Sequence, residues 1–224
     1  MLRSFSLDRF FFLRTGTDKL MALSVCFSLS LVITTFLYTG HLLFFFLVWN
    51  LFLACIPYGI SCWLLQRPDW IANRRLFIPS LLLWLAFIPN AFYILTDLFH
   101  LGTFTQLPSW FELIVILSFA WNGLLLGIIS VAHIEKILRF EAGSKTLLYF
   151  VFPVMFLNAL GVYIGRYLRF NSWDFITDPF HLFRDIVLLI IHPLQHHFAW
   201  GMVVCFSVFM TIVYAMMKRL EIRN

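Results

Sequence analysis

The chain has 224 residues, of which 62% are hydrophobic and only 12% charged, with 28 Phe and 8 Trp. That composition excludes an ordinary soluble domain, in which about a quarter of residues are charged. The net charge of +5 does not point to nucleic acid, because the cations sit in short stretches between apolar runs instead of along one soluble face. Cys26, Cys55, Cys62 and Cys205 fall inside apolar segments with no Cys-x-x-Cys pair, so neither a disulfide framework nor a thiolate zinc site is indicated.

A hydrocarbon core of roughly 30 Å requires about 20 apolar residues of helix, and the chain supplies six such runs. Residues 1–19 mix charges with short apolar pieces and show no signal-peptide cleavage pattern, which predicts a cytoplasmic lead. Spans are predicted over 20–38 and 41–65, separated only by a tight turn at Gly40, and then over 76–99 after a basic loop with Arg67, Arg74 and Arg75. Gly102 is the expected stop of the third span. The sequence Ser109-Trp-Phe-Glu112 fits a capping box at the head of the fourth span, 110–132, which makes Glu112 a structural residue. That helix is expected to continue past the membrane, with Glu135 and Arg139 as an i,i+4 pair. The fifth span covers 146–168. A short amphipathic helix over 179–191 begins at Asp178-Pro179 and is too short to cross, so it is interfacial or re-entrant. The last span, 198–217, precedes a basic tail over 218–224. The fold expected is an all-α integral membrane protein, one six-span helical bundle over 20–217 with an additional short amphipathic outer helix.

Counting Lys and Arg on alternate sides puts thirteen of the 16 on one side, with Arg166, Arg169 and Arg184 on the other. The positive-inside rule then predicts that both termini are cytoplasmic.

The third span carries the most chemistry. Asn90, Tyr93, Asp97 and His100 recur at steps of three, four and three, which places them on one face of an α-helix. Pro89 cannot donate to the carbonyl of Leu85, so a kink is expected there, with Asn90 either lining a pocket wall or satisfying the freed carbonyl. A charge at the centre of a span costs about 2.5–3.5 kcal/mol and therefore pairs or serves a pathway. Asp97 is such a charge, placed near the outer end. Arg166 and Arg169, one turn apart at the end of the fifth span beside Tyr163, are its expected counterparts across the bundle, with Asp174 orienting them. Guanidinium forks match carboxylate or phosphate, so their partners are the bundle's own acids or an anionic ligand, and internal pairing is the favoured arrangement.

Gly161 and Gly165 have the spacing that permits close helix approach, as do Gly123 and Gly127. Asn122 and Asn158 come out at similar depth in the fourth and fifth spans and are expected to hydrogen-bond to each other. His192, His196 and His197 resemble a single histidine box, but Pro193 is expected to begin a new helix capped by His192, which spoils the i,i+4 geometry. They are read as interfacial histidines and only weak metal candidates. No cofactor is expected.

Pro89-Asn90, Tyr93, Thr96-Asp97 and His100-Leu101, followed by Ser118-Phe-Ala-Trp121-Asn122-Gly123, Gly161-x-Tyr163-x-Gly165-Arg166 and Arg169-x-Asn171-Ser172-Trp173-Asp174, together resemble a bacterial multi-span family catalogued as domain of unknown function 1361. The likeness runs from about Leu81 through the last span. Phe92 stands where the pattern leads one to expect proline. The resemblance implies the bundle, a place in a bacterial inner membrane and a common site for these residues, and no reaction.

Three functions fit. The leading one is binding or transport of a polar or anionic solute or lipid head group through an outward-facing pocket built from Asn90, Tyr93, Asp97, His100, Arg166, Arg169 and Asp174. The second is a membrane enzyme acting on a lipid or its head group, with Asp97 or His100 as general acid or base, alone or metal-assisted. The third is a structural or assembly partner in which the polar stripe locks helices together. Membrane lipids are the expected partners and nucleic acid is not; the sequence says nothing of oligomeric state.

Overall fold

The computed structural model describes residues 16–103, 107–138, 146–170 and 179–222, all of it helix and connecting turn with no strand among the described residues. Six helical stretches are long and apolar enough to cross a membrane, at Lys19–Thr39, Phe45–Leu65, Arg74–His100, Ser109–Ile137, Leu147–Arg166 and His197–Leu220. The elements are α1 (Gly16–Thr39), α2 (Phe45–Leu65), a short α3 (Pro68–Ala72), α4 (Arg74–Tyr93) prolonged by a 3-10 helix over Ile94–His100, α5 (Ser109–Ile137), a π-helical turn over Leu147–Val151 leading into α6 (Phe152–Arg166), the short α7 (Pro179–Ile191), and α8 (His197–Ile222).

Two connections differ from expectation. Gly40, at φ +70°, reverses the chain, and the turn continues to Phe44, so α2 starts later than 41. Pro193 opens a turn instead of a helix: the amides of Gln195 and His196 both donate to the carbonyl of His192, and α8 begins only at His197.

The third span lies at the centre. It packs on α2, α5 and α6, while α1 leans on α5 and α8 on α6. Glycines allow this crowding from two sides. A Cβ at Gly123 of α5 would stand 2.7 Å from the carbonyl oxygen of Ala91, and one at Gly127 2.8 Å from the Phe92 ring. On the other flank, a Cβ at Gly161 of α6 would stand 2.7 Å from the Pro89 ring, and one at Gly165 3.3 Å from Tyr93. Both glycine pairs therefore serve one partner, the stretch from Pro89 to Ile94, which is held between them by close van der Waals packing. Trp84, Ile88, Ala91, Phe92 and Ile94 are buried there.

Several polar side chains inside the bundle are tied down, as a low-dielectric interior favours, although the buried Oδ1 atoms of Asn122 and Asn158 meet no hydrogen-bond partner among the described residues. The Trp84 indole donates to Ser130 Oγ (2.8 Å), and Ser130 donates to the carbonyl of Pro57 (3.0 Å). Ser61 meets Nδ1 of His133 at 3.2 Å, linking α2 and α5 at the end opposite His100. Glu135 pairs with Lys218 and accepts from the Tyr214 hydroxyl; these partners join the ends of α5 and α8, and Arg139 lies outside the described residues.

Two expected contacts are replaced. Asn122 donates to Ser28 Oγ of α1 at 2.9 Å, and Asn158, among the described residues, reaches the sulfur of Met155 at 3.8 Å. They do not bond to each other because α5 and α6 face different neighbours, α6 packing mainly on α4 and α8. The capping box does not form either. Pro108 occupies the cap position of α5, and Glu112, 1% exposed, accepts from the amide of Gly102 at 2.7 Å. Gly102, at φ +80°, ends the third span in the left-handed conformation that suits glycine. Glu112 is thus structural through another contact, tying the end of the third span to the start of the fourth.

Candidate functional site

The third span changes winding where its chemistry begins. Up to Tyr93 it is α-helical, with Pro89 inside the helix, and the Asn90 amide donates to the carbonyl of Phe87 at 3.0 Å. From Ile94 to His100 it is a 3-10 helix. Seven residues is long for that form, which is often found at functional hinges. With three residues per turn, Asp97 and His100 eclipse one another, while Ile94, at the start of the stretch, packs against Gly123 of α5. Asp97 and His100 are thereby stacked on one line toward α6.

Arg166, the last residue of α6, meets that line. Its Nη1 lies 3.4 Å from Asp97 Oδ1 and donates at 3.4 Å to the Tyr93 hydroxyl, and its Nη2 lies 3.0 Å from His100 Nε2. The guanidinium also stands over the rings of Tyr93 and Phe99 at 5.8 and 5.6 Å, a favourable cation–π placement. The second carboxylate oxygen of Asp97 accepts from Asn50 Nδ2 at 2.8 Å. Asp97 is 1% exposed while the Arg166 side chain is 16% exposed. The acid is thus a shielded counter-ion, whereas the base reaches the edge of the cluster. A guanidinium carries five N–H donors, and the Nε donor of Arg166 meets no partner among the described residues.

Next to the cluster lies a cavity of about 460 Å³ between α2, α4 and α6, with Asn50, Asn90 and Tyr93 as its polar lining and Pro89, Gly161 and Gly165 in its wall. Of the residues predicted for a site, Tyr93, Asp97, His100 and Arg166 come together, and Asn90 lies one turn deeper in the adjoining cavity. Arg169 is exposed and does not join them among the described residues. Its backbone, at φ 59°, turns the chain so that the Phe170 amide reaches back to the carbonyl of Ile164 at 3.4 Å. Left-handed backbone at a non-glycine residue costs about 1–3 kcal/mol, so Arg169→Gly is expected to keep or slightly raise the melting temperature, as a thermal melt in detergent checks. Asp174, with Asn171, Ser172 and Trp173, lies outside the described residues.

His192 and His196 stand at the two ends of the turn before α8, and His197 Nδ1 lies 3.1 Å from the carbonyl of Leu194. Among the described residues no three His, Cys, Asp or Glu side chains converge as a metal site would require. Two contributors were missed from sequence: Asn50, and Phe46, whose ring meets His100 edge-on at 5.3 Å. Asn50 did carry a signal. It is the sole carboxamide in the second span, and such a group within lipid needs a partner. Phe46 carried none among so many phenylalanines.

Six spans, an intramembrane ion pair and a bordering cavity define a polytopic helical membrane protein. The family described as "Protein of unknown function (DUF1361)" matches residues 49–213, and the chain belongs to that family. No curated protein and no solved structure matches it.

Proposed function

We propose that this protein binds a polar or anionic group, a lipid head group or a small solute, at the Arg166 end of the bundle, as a receptor or as the binding step of transport. The observation that carries this is the asymmetry of the ion pair. Asp97 is enclosed and engaged at both oxygens, while Arg166 is only partly buried, is contacted mostly by neutral groups and rings, and keeps donor capacity beside a cavity. Such an acid fixes the guanidinium in place, and the guanidinium supplies recognition. In the enzymatic alternative His100 would have to act as acid or base, since Asp97 is enclosed, and its Nε2 already lies 3.0 Å from Arg166 Nη2. The charge distribution supports placing this end outside and both termini in the cytoplasm.

Glycerol phosphate, a soluble head-group mimic, tests the reading. It is expected to raise the melting temperature of the purified wild-type protein, and Arg166→Ala is expected to abolish that rise while the protein still inserts and purifies. An equal rise in both proteins would remove the proposal.

A further inference from the structure

The cavity beside the cluster continues as a groove whose floor is one face of α4. Leu82, Leu85, Ala86, Pro89, Asn90 and Tyr93 line it, the three-and-four stripe of a single helix face. Its polarity is graded along its length. The polar side chains Asn50, Asn90 and Tyr93 lie toward His100, beside Trp49, Ile164 and Phe170, whereas the rest is walled by apolar side chains such as Leu53, Leu157 and Leu160. From Leu82 to Tyr93 the floor rises about 16 Å at about 1.5 Å per residue, roughly half of a hydrocarbon core of about 30 Å. That is the depth of one leaflet. The flanks are open, with Leu82 60%, Trp49 45% and Leu157 45% exposed, and at mid-span such faces meet lipid chains.

We propose that this groove receives one hydrocarbon chain of a phosphate-bearing amphiphile whose head is held by Arg166. The proposal rests on the reading that Arg166 binds an anionic group, and it names the class of ligand. Length, graded polarity and sideways opening suit such a molecule, and the charge of Arg166, which adjoins the groove beyond Tyr93 and Gly165, complements its head. A fully water-soluble ligand would leave the leucine-walled part of the groove unused. Since lipid tails are as apolar as the leucines, the groove contributes little hydrophobic driving force. Its role is to let the molecule slide in from the leaflet with its head already level with Arg166.

Thermal stabilisation of the full chain in maltoside micelles, with inorganic phosphate, dodecyl phosphate and dodecanol as probes, tests this. Dodecyl phosphate is expected to stabilise at lower concentration than phosphate, and dodecanol not at all. Ala86→Trp fills the floor at an exposed position away from the ion pair. By steric exclusion it is expected to weaken the dodecyl phosphate response at least about tenfold and to leave the phosphate response intact. Leu157→Trp, from the opposite wall, is expected to do the same and replaces Ala86→Trp if that variant does not fold. Leu83→Trp, 50% exposed on α4 but off the groove, is expected to change nothing. A dodecyl phosphate response unaltered by either groove variant overturns the chain proposal and leaves head recognition standing, as does equal stabilisation by phosphate and dodecyl phosphate. Stabilisation by neither phosphate probe overturns both readings, and a dodecyl phosphate response lost in Ala86→Trp but kept in Arg166→Gln overturns head recognition.

Discussion

Asp97→Ala is expected to destabilise the bundle by about 3–5 kcal/mol, the usual cost of removing one partner from a buried ion pair. The loss has two parts. Arg166 would keep its charge with no carboxylate in reach among the described residues, and Asn50 would lose the acceptor that its amide reaches at 2.8 Å. An unmet donor within the membrane is costly by itself. Asp97→Asn retains an acceptor for Asn50 but sets an NH2 donor in place of the oxygen that faces Arg166, so it is expected to melt between wild type and Asp97→Ala. Melting curves of the three purified proteins, with yield of monodisperse material as a second readout, check the order. A wild-type melting point for Asp97→Ala would show that the pair holds nothing together.

Gly123→Ala is expected to cost about 1–3 kcal/mol, as overpacking of a closed interface does. The added methyl would stand 2.7 Å from the carbonyl oxygen of Ala91, and a helix backbone cannot swing aside as a side-chain tip can. Gly59→Ala and Gly201→Ala are the controls, since a Cβ at either position meets nothing within 4 Å. There the better helix propensity of alanine is expected to act alone and stabilise by up to about 1 kcal/mol. Equal effects at Gly123 and Gly201 would mean that α5 does not approach the third span as closely as the glycines allow.

The number of spans was legible because apolar run length is dictated by the bilayer, and the short helix over Pro179–Ile191 because Asp178-Pro179 starts an amphipathic run too brief to cross. The meeting of Asp97, His100 and Arg166 was also legible, since each is a charged or titratable group within or bordering a span and such groups need partners. What could not be read was which helices pack together. Equal depth suggested Asn122 with Asn158, but depth fixes only one coordinate, and Asn122 turned out to face Ser28 of α1. Likewise, Ser109 and Glu112 had the spacing of a capping box, yet Glu112 is drawn to a tertiary donor, the Gly102 amide, that no local pattern announces. The 3-10 winding of Ile94–His100 was hidden for a similar reason. A 3-10 run of seven residues is uncommon and no local pattern announces it, and its partners Asn50 and Arg166 come from distant parts of the chain.

The central claim, that the ion pair serves recognition as well as cohesion, is tested most directly by the double variant Asp97→Asn with Arg166→Gln. Exchanging both charges for neutral hydrogen-bonding groups of similar size leaves no charge unpaired, and replacing a buried pair as a unit can cost little stability. The double variant is therefore expected to melt close to the wild type and to show no stabilisation by dodecyl phosphate. A double variant that dodecyl phosphate stabilises as strongly as it does the wild type would contradict the account.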